Sequence, residues 1–211
     1  MDDVHKRRYE EALAAAEDVI RETPDDSTAY HNRGVVLAKL GRFEEAVGAF
    51  KKAIKMKPDF ARAYYDLGLT YRAMGRYIEA IKALDKTVEL KPNIPVIRDK
   101  RAAALIDMGA ALRPQYSKSL FEAAIADAQS VIELSTDSDG HYNMACALSR
   151  LGRYDEALES LRKAKGAKGI DFDIAHAWDD PDFAPLRSKP WIAKFEKIIG
   201  PEPKVSDSES W

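Results

Sequence analysis

Between residues 28 and 58, apolar and small side chains recur at three- and four-residue intervals, the spacing of one helical face. Gly41 interrupts the run and Pro58 closes it. Residues 61–92 repeat this pattern at a constant offset of 34: Gly34 returns as Gly68, Gly41 as Gly75, Phe43 as Tyr77, Ala46 as Ala80 and Pro58 as Pro92. Each copy predicts a first helix, a short turn, a second helix and a proline-marked turn. In the first helix of the second copy, Tyr64, Leu67, Gly68 and Tyr71 share one face. A glycine inside a helix costs about 1 kcal/mol against alanine. Close approach of the paired helix, with Gly68 opposite Ala80, is the expected return. Gly41 and Gly75 fall just past the first helix, where a left-handed residue ends it, and Pro58 and Pro92 bar the second from continuing. One such hairpin cannot bury its apolar face alone, so the copies are expected to stack.

The phase extends in both directions. Tyr9, Ala12, Ala16, Val19 and Pro24 precede Phe43, Ala46, Phe50, Ala53 and Pro58 by the same 34, so residues 3–24 read as a lone second helix. Either the array begins mid-repeat with this helix as a lid, or the chain is a piece of a longer array. Repeats follow over about 27–60 and 61–94. A third, 95–136, carries Ile97, Ala102, Leu105 and Gly109, with Arg98 and Arg101 where large apolar residues are expected. Its second helix matches with Phe121 for Tyr77 and Ala124 for Ala80. That interval of 44 places an insertion within 110–120, where Pro114 breaks any continuous helix. A fourth repeat, 138–169, holds Met144, Ala145, Leu148, Gly152, Tyr154, Ala157, Leu161 and Ala164, with Gly166 and Gly169 ending it in place of proline. Residues 170–200 change character. Asp180-Pro181 and Ser188 before Pro190 are helix-start signals, and Phe172, Ile174, Ala175, Trp178, Phe183, Leu186, Trp191, Phe195 and Ile198 supply an apolar set. They are expected to form a helical cap over the last second helix, followed by a disordered tail, 201–211.

These residues resemble the tetratricopeptide repeat (TPR), whose pattern is W-x-x-L-G-x-x-Y, then A-x-x-x-F, then P. Tyr64, Leu67, Gly68, Tyr71, Ala80, Leu84 and Pro92 fill those places in the second copy; Tyr30, Arg33, Gly34, Leu37, Ala46, Phe50 and Pro58 do so in the first. Asp180, Pro181, Asp182, Phe183, Pro185, Leu186 and Arg187 are similar to a DPDF-x-PLR tail that closes many bacterial and archaeal arrays of this family. The resemblance implies an all-α, right-handed solenoid that works by protein–protein interaction. Its first helices would line a concave groove for a peptide or protein segment. In this chain that wall would comprise His31, Asn32, Val35 and Lys39, then Arg62, Tyr65, Asp66, Leu69 and Arg72. Asp99, Lys100, Ala103 and Ile106, then Tyr142, Asn143, Cys146 and Arg150, would continue it. The carboxylate clamp of co-chaperone TPR domains fits poorly. Asn32-Arg33 and Arg62 match parts of it, but Asp66 stands where its last arginine belongs.

Composition narrows the alternatives. Lys plus Arg number 33 and Asp plus Glu 35, so no strong field favours nucleic acid or an anionic membrane. Neither a transmembrane run nor the apolar core of a signal peptide is apparent, which points to a cytoplasmic protein. The single cysteine, Cys146, permits neither an intrachain disulfide nor a cysteine-built zinc cage. His5, His31, His141 and His176 share no ligand spacing, and phosphate-loop, dinucleotide, zincin and nucleophile-elbow motifs are missing. The expectation is a scaffold without catalysis, cofactor or metal. The alternatives are an accessory subunit, or a homo-oligomer joined through the unpaired first helix, whose Tyr9, Ala12, Leu13 and Ala16 face would lack its usual partner.

Overall fold

A computed structural model describes residues 3–135, 140–166 and 173–203, and among these all regular structure is helical. Gly169, Phe172 and the tail beyond residue 203 lie outside the described residues. The chain divides into two compact units, Met1–Ala104 and Leu105–Trp211. The division falls inside α6.

Unit 1 contains α1 (Asp3–Glu22), α2 (Ser27–Lys39), α3 (Phe43–Met56), α4 (Ala61–Ala73), α5 (Tyr77–Leu90) and the first part of α6 (Pro95–Ala111). The helices α1 to α5 pack in chain order, α1 on α2, α2 on α3, α3 on α4 and α4 on α5. Asp26 starts α2 as an N-cap, its carboxylate accepting from the Thr28 N–H at 2.7 Å. Gly41 has φ +75° and closes α2. Its N–H donates to Ala38 O, and the N–H of Arg42 reaches back to Leu37 O, so the last carbonyls of the helix are satisfied. Gly75-Arg76 and Gly152-Arg153 build the same turn. In all three the arginine then folds onto a glutamate one turn into the next helix: Arg42 on Glu45, Arg76 on Glu79 and Arg153 on Glu156. These hydrogen bonds hold the three glutamates below their usual range, and the negative charges suit the positive end of the helix they begin.

Gly34 shows why the hairpin needs a glycine. A Cβ there would lie 2.6 Å from the ring of Phe50, which is fully buried. Gly68 meets Leu84 and Gly109 meets Phe121 in the same way. Leu13, Leu37, Val47, Phe50, Leu67, Tyr71 and Leu84 belong to one core cluster of unit 1. This corrects the expectation for the first helix. Leu13 and Ala16 are buried where α1 packs on α2, and Tyr9 is half-buried; of the four named residues only Ala12 is exposed.

Unit 2 contains the rest of α6, α7 (Pro114–Leu134), α8 (Gly140–Arg150), α9 (Tyr154–Gly166), α10 (Ile174–Asp179), a 3₁₀ helix (Pro181–Arg187) and α11 (Ile192–Ile199). The extra residues of the third repeat lengthen both of its helices, to 17 and 21 residues, with Pro114 opening α7. Gly109 sits in the phase of Gly75 yet does not turn the chain. It stays helical, and a Cβ there would meet the ring of Phe121 at 2.6 Å. Within the cap, Trp178, Phe183, Leu186 and Phe195 are buried, as expected of a core. Ile199 is fully buried where Ile198 is half-exposed, and Ala175 faces solvent. Ser188 O accepts from the N–H groups of Trp191 and Ile192 and so opens the turn into α11, while its hydroxyl donates to Pro185 O at the end of the 3₁₀ helix.

Gly34→Ala and Gly41→Ala are expected to destabilise unit 1 for different reasons. The first overpacks the Phe50 contact, by about 1–3 kcal/mol. The second forces a side chain into positive φ at about 1 kcal/mol with no contact disturbed. Denaturant melts should show that Phe50→Leu recovers part of the first loss and none of the second.

Candidate interaction surface

The first helices of the two regular repeats, α2 and α4, lie side by side and are joined by a buried polar contact. His31 Nε2 is 2.7 Å from Asp66 Oδ2, and the His31 side chain is only 4% exposed. Its ring also packs against Phe60 and Phe50, with centroids at 5.1 and 5.7 Å. His31 therefore holds the wall together and is withdrawn from its outer surface. Asp66, expected to face a ligand, is spent on the same bond.

Along α2, Asn32 and Lys39 are exposed and Val35 is half-buried. Along α4, Arg62 is exposed while Tyr65, Leu69 and Arg72 are half-buried. Burial pushes the Tyr65 hydroxyl above its ordinary range, with Asp66 and Asp99 adding to the effect and Lys100 opposing it. Asp99 is buried and paired with Lys100 at 2.9 Å, and Ala103 is half-buried. Arg101, out of place in the apolar pattern, reaches Asp85 at 2.7 Å. The surface of unit 1 that packing leaves available thus centres on Asn32, Lys39, Arg62, Tyr65 and Leu69.

In unit 2 the corresponding positions are occupied from within the chain. Ile106 is buried and Asn143 half-buried. The Tyr142 hydroxyl donates to Asp180 Oδ2 at 2.8 Å, and its ring meets Phe183 edge-on at 5.5 Å. Arg150 Nε donates to Asp182 Oδ1 at 2.5 Å, and the Ser149 hydroxyl donates to Asp182 O at 2.6 Å. Cys146, 3% exposed, sits 3.8 Å from Asp180 through its sulfur. Tyr142 and His31 share a phase, so Asp180 does for α8 what Asp66 does for α2. The 3₁₀ helix packs on α8, while α11 packs on α9. Lys165 donates to Ile198 O and Ile199 O at the C-terminal end of α11, and Lys194 pairs with Asp155. Tyr142, Cys146 and Arg150 are consequently cap-holding residues. The sequence could have signalled this through the spacing of Asp180 and Asp182, one for each partner along α8.

Cys146, Asp180 and Asp182 are, among the described residues, the one group whose ligand atoms lie close enough to hold a metal, within 4.8 Å. Their chemistry fits a cation badly. Burial pushes the Cys146 thiol far up, with both carboxylates adding to the effect, so it keeps its proton. Arg150 takes up Asp182, and the Tyr142 hydroxyl takes up Asp180. Of the basic cluster at the end of α9, Arg162 and Lys163 both turn to Glu159 and Lys165 serves α11; Lys168 lies outside the described residues. Among the described residues no helix is long and apolar enough to cross a membrane.

These features define an all-α helical-repeat protein, and comparison with known proteins identifies the repeat. Family models described as TPR repeat and tetratricopeptide repeat match residues 36–75, 61–94 and 138–165. No curated protein matched. Among solved structures, MamA 41-end from Desulfovibrio magneticus RS-1 is similar with a TM-score of 0.67 and 23% identity, over 76% of this chain and 86% of that one. The TPR protein YrrB, described as having an unusual peptide-binding site, has a TM-score of 0.64 and 20% identity, over 89% and 93% of the two chains. Residues 36–94 and 138–165 are thus tetratricopeptide repeats, and the chain shares the fold of TPR solenoid proteins.

Asp182 provides a test of the cap. Burial raises its carboxyl above the ordinary value although Arg150 opposes the shift. A carboxyl raised on folding favours the folded state when protonated, and that benefit is lost as pH rises through its folded value. Arg150→Ala removes the opposing cation. It should destabilise unit 2 by about 2 kcal/mol near neutral pH, and by progressively less as pH falls and Asp182 is protonated. Thermal melts across the acid range would measure this; a loss that stays constant with pH would refute it.

Proposed function

We propose that the protein is a non-enzymatic interaction scaffold and that α2 and α4 of unit 1 form its binding strip. One observation carries this reading. The His31–Asp66 contact braces two neighbouring first helices, and beside it Asn32, Lys39 and Arg62 are exposed, while Leu69 and Tyr65, whose inner side packs on the core cluster, are partly accessible. Asn32 suits the backbone of an extended segment, Tyr65 and Leu69 offer apolar area, and Lys39 and Arg62 attract carboxylates. The two acidic side chains nearby are already paired, Asp66 with His31 and Asp99 with Lys100. The strip therefore favours a segment bearing acidic and apolar side chains. The protein known for a peptide-binding site among its structural neighbours, YrrB, supports the general mode.

Asn32→Ala combined with Tyr65→Ala should weaken capture of such a partner by more than about tenfold while circular dichroism stays unchanged. His31→Ala should weaken capture and also lower the melting temperature, because it removes the brace. Equal capture by wild type and the Asn32/Tyr65 variant from the same extract would refute the strip as the binding site.

A further inference from the structure

Helices α2 and α4 carry Arg33, Lys39, Arg62 and Arg72 against one acid, Asp66. Asp66 is held by His31, and Arg33 by Glu17 at 3.1 Å. Lys39 and Arg62 are exposed, and neither makes an ion pair among the described residues. Asp25, Asp26 and Asp59 lie just before the two helices. Asp26 caps α2, and among the described residues neither Asp25 nor Asp59 pairs with Arg62. The two available cations stand at opposite ends of the strip. Helices α2 and α4 are joined through α3 by two tight turns and so run parallel. Arg62 shares the phase of Thr28, eleven residues before Lys39 in α2. Eleven residues span about 16 Å along a helix, and with neighbouring axes about 9 Å apart the two cations lie roughly 19 Å from one another. Asn32, Val35, Tyr65 and Leu69 fall between them.

We propose that the strip takes an extended segment with two acidic side chains about six residues apart and apolar side chains between them, at about 3.3 Å per residue. One carboxylate meets Lys39 and the other Arg62. The inference rests on the α2–α4 strip being the binding site. Side chains of an extended chain alternate, so an even spacing turns both acids and the alternate apolar residues onto the same face. That face lies on Tyr65, Leu69 and Val35, and the residues between point to water. Asn32, exposed between the cations, matches the unpaired amide and carbonyl groups of an extended backbone; a helix would have satisfied them internally.

Fluorescence anisotropy on the full chain tests the spacing with two labelled synthetic peptides whose ends are blocked and uncharged. The first, Glu-Ser-Leu-Ser-Leu-Ser-Glu, sets the acids six apart. The second, Glu-Ser-Glu-Ser-Leu-Ser-Leu, has the same composition and the same alternation but sets them two apart. The first should bind about tenfold more tightly, and the difference should shrink as salt is raised. Lys39→Glu and Arg62→Glu, both at exposed positions, should each erase most of that difference while circular dichroism stays unchanged. Equal binding of the two peptides, both lost in the Asn32/Tyr65 variant, would overturn the spacing and leave the strip as the binding site. Binding of the first peptide that survives in the Asn32/Tyr65 variant would overturn the strip itself. No binding of the first peptide at millimolar concentration would overturn the spacing as well.

Discussion

The close approach of paired helices is the constraint on which the rest depends. At Gly34, Gly68 and Gly109 a side chain is absent so that Phe50, Leu84 and Phe121 can lie against backbone. That contact sets how near the two helices of a hairpin come. Interiors packed at crystal-like density tolerate little change at such points. With the hairpin fixed, the outward face of each first helix becomes a rigid support whose side chains can vary without disturbing the core. The division is visible along α4: Leu67, Gly68 and Tyr71 are buried, Tyr65 and Leu69 are half-buried and Arg62 is exposed.

The same phase explains which helix faces are covered from within the chain. A repeat array exposes an apolar face wherever the next copy is missing. In unit 2 the segment after α9 answers this by imitation. Asp180 and Asp182 satisfy Tyr142 and Arg150 on α8, Phe183 and Leu186 enter the core, and α11 covers α9. The arrangement lets acidic residues near the end of the chain work as structural pins. In unit 1 no described element does this for α1, so Ala12, Ala15 and Val19 remain at the surface although their counterparts in α3 and α5 are buried.

Much of this was legible in the sequence because packing positions repeat. The offset of 34 located the helices, the turns at Gly41 and Gly75 and the close-approach glycines. The DPDF stretch lies against α8, where Asp180 and Asp182 reach Tyr142 and Arg150. Ligand-facing residues were less legible, since one surface position can serve several ends. His31 and Tyr142 share a phase with Tyr65, yet His31 braces two helices and Tyr142 holds the cap. Distinguishing them required knowing which acid lies opposite, and those acids are 35 and 38 residues away in the chain. Gly109 was read as part of the third repeat's first helix, and the lengthened α6 carries it there against Phe121. The Arg-x-x-Glu pairs after each turn went unread because a charged pair near a helix start looks like ordinary solvated surface.

The central claim is that the outward strip of α2 and α4 is where a partner binds. Hydrogen exchange on the complex with a captured partner tests it most directly, because unit 1 reports binding at each helix separately. The account predicts slowed exchange concentrated in α2 and α4, with α9 and α11 unchanged. Protection confined to α1, or to the cap helices, with α2 and α4 exchanging as in the free protein, would contradict it.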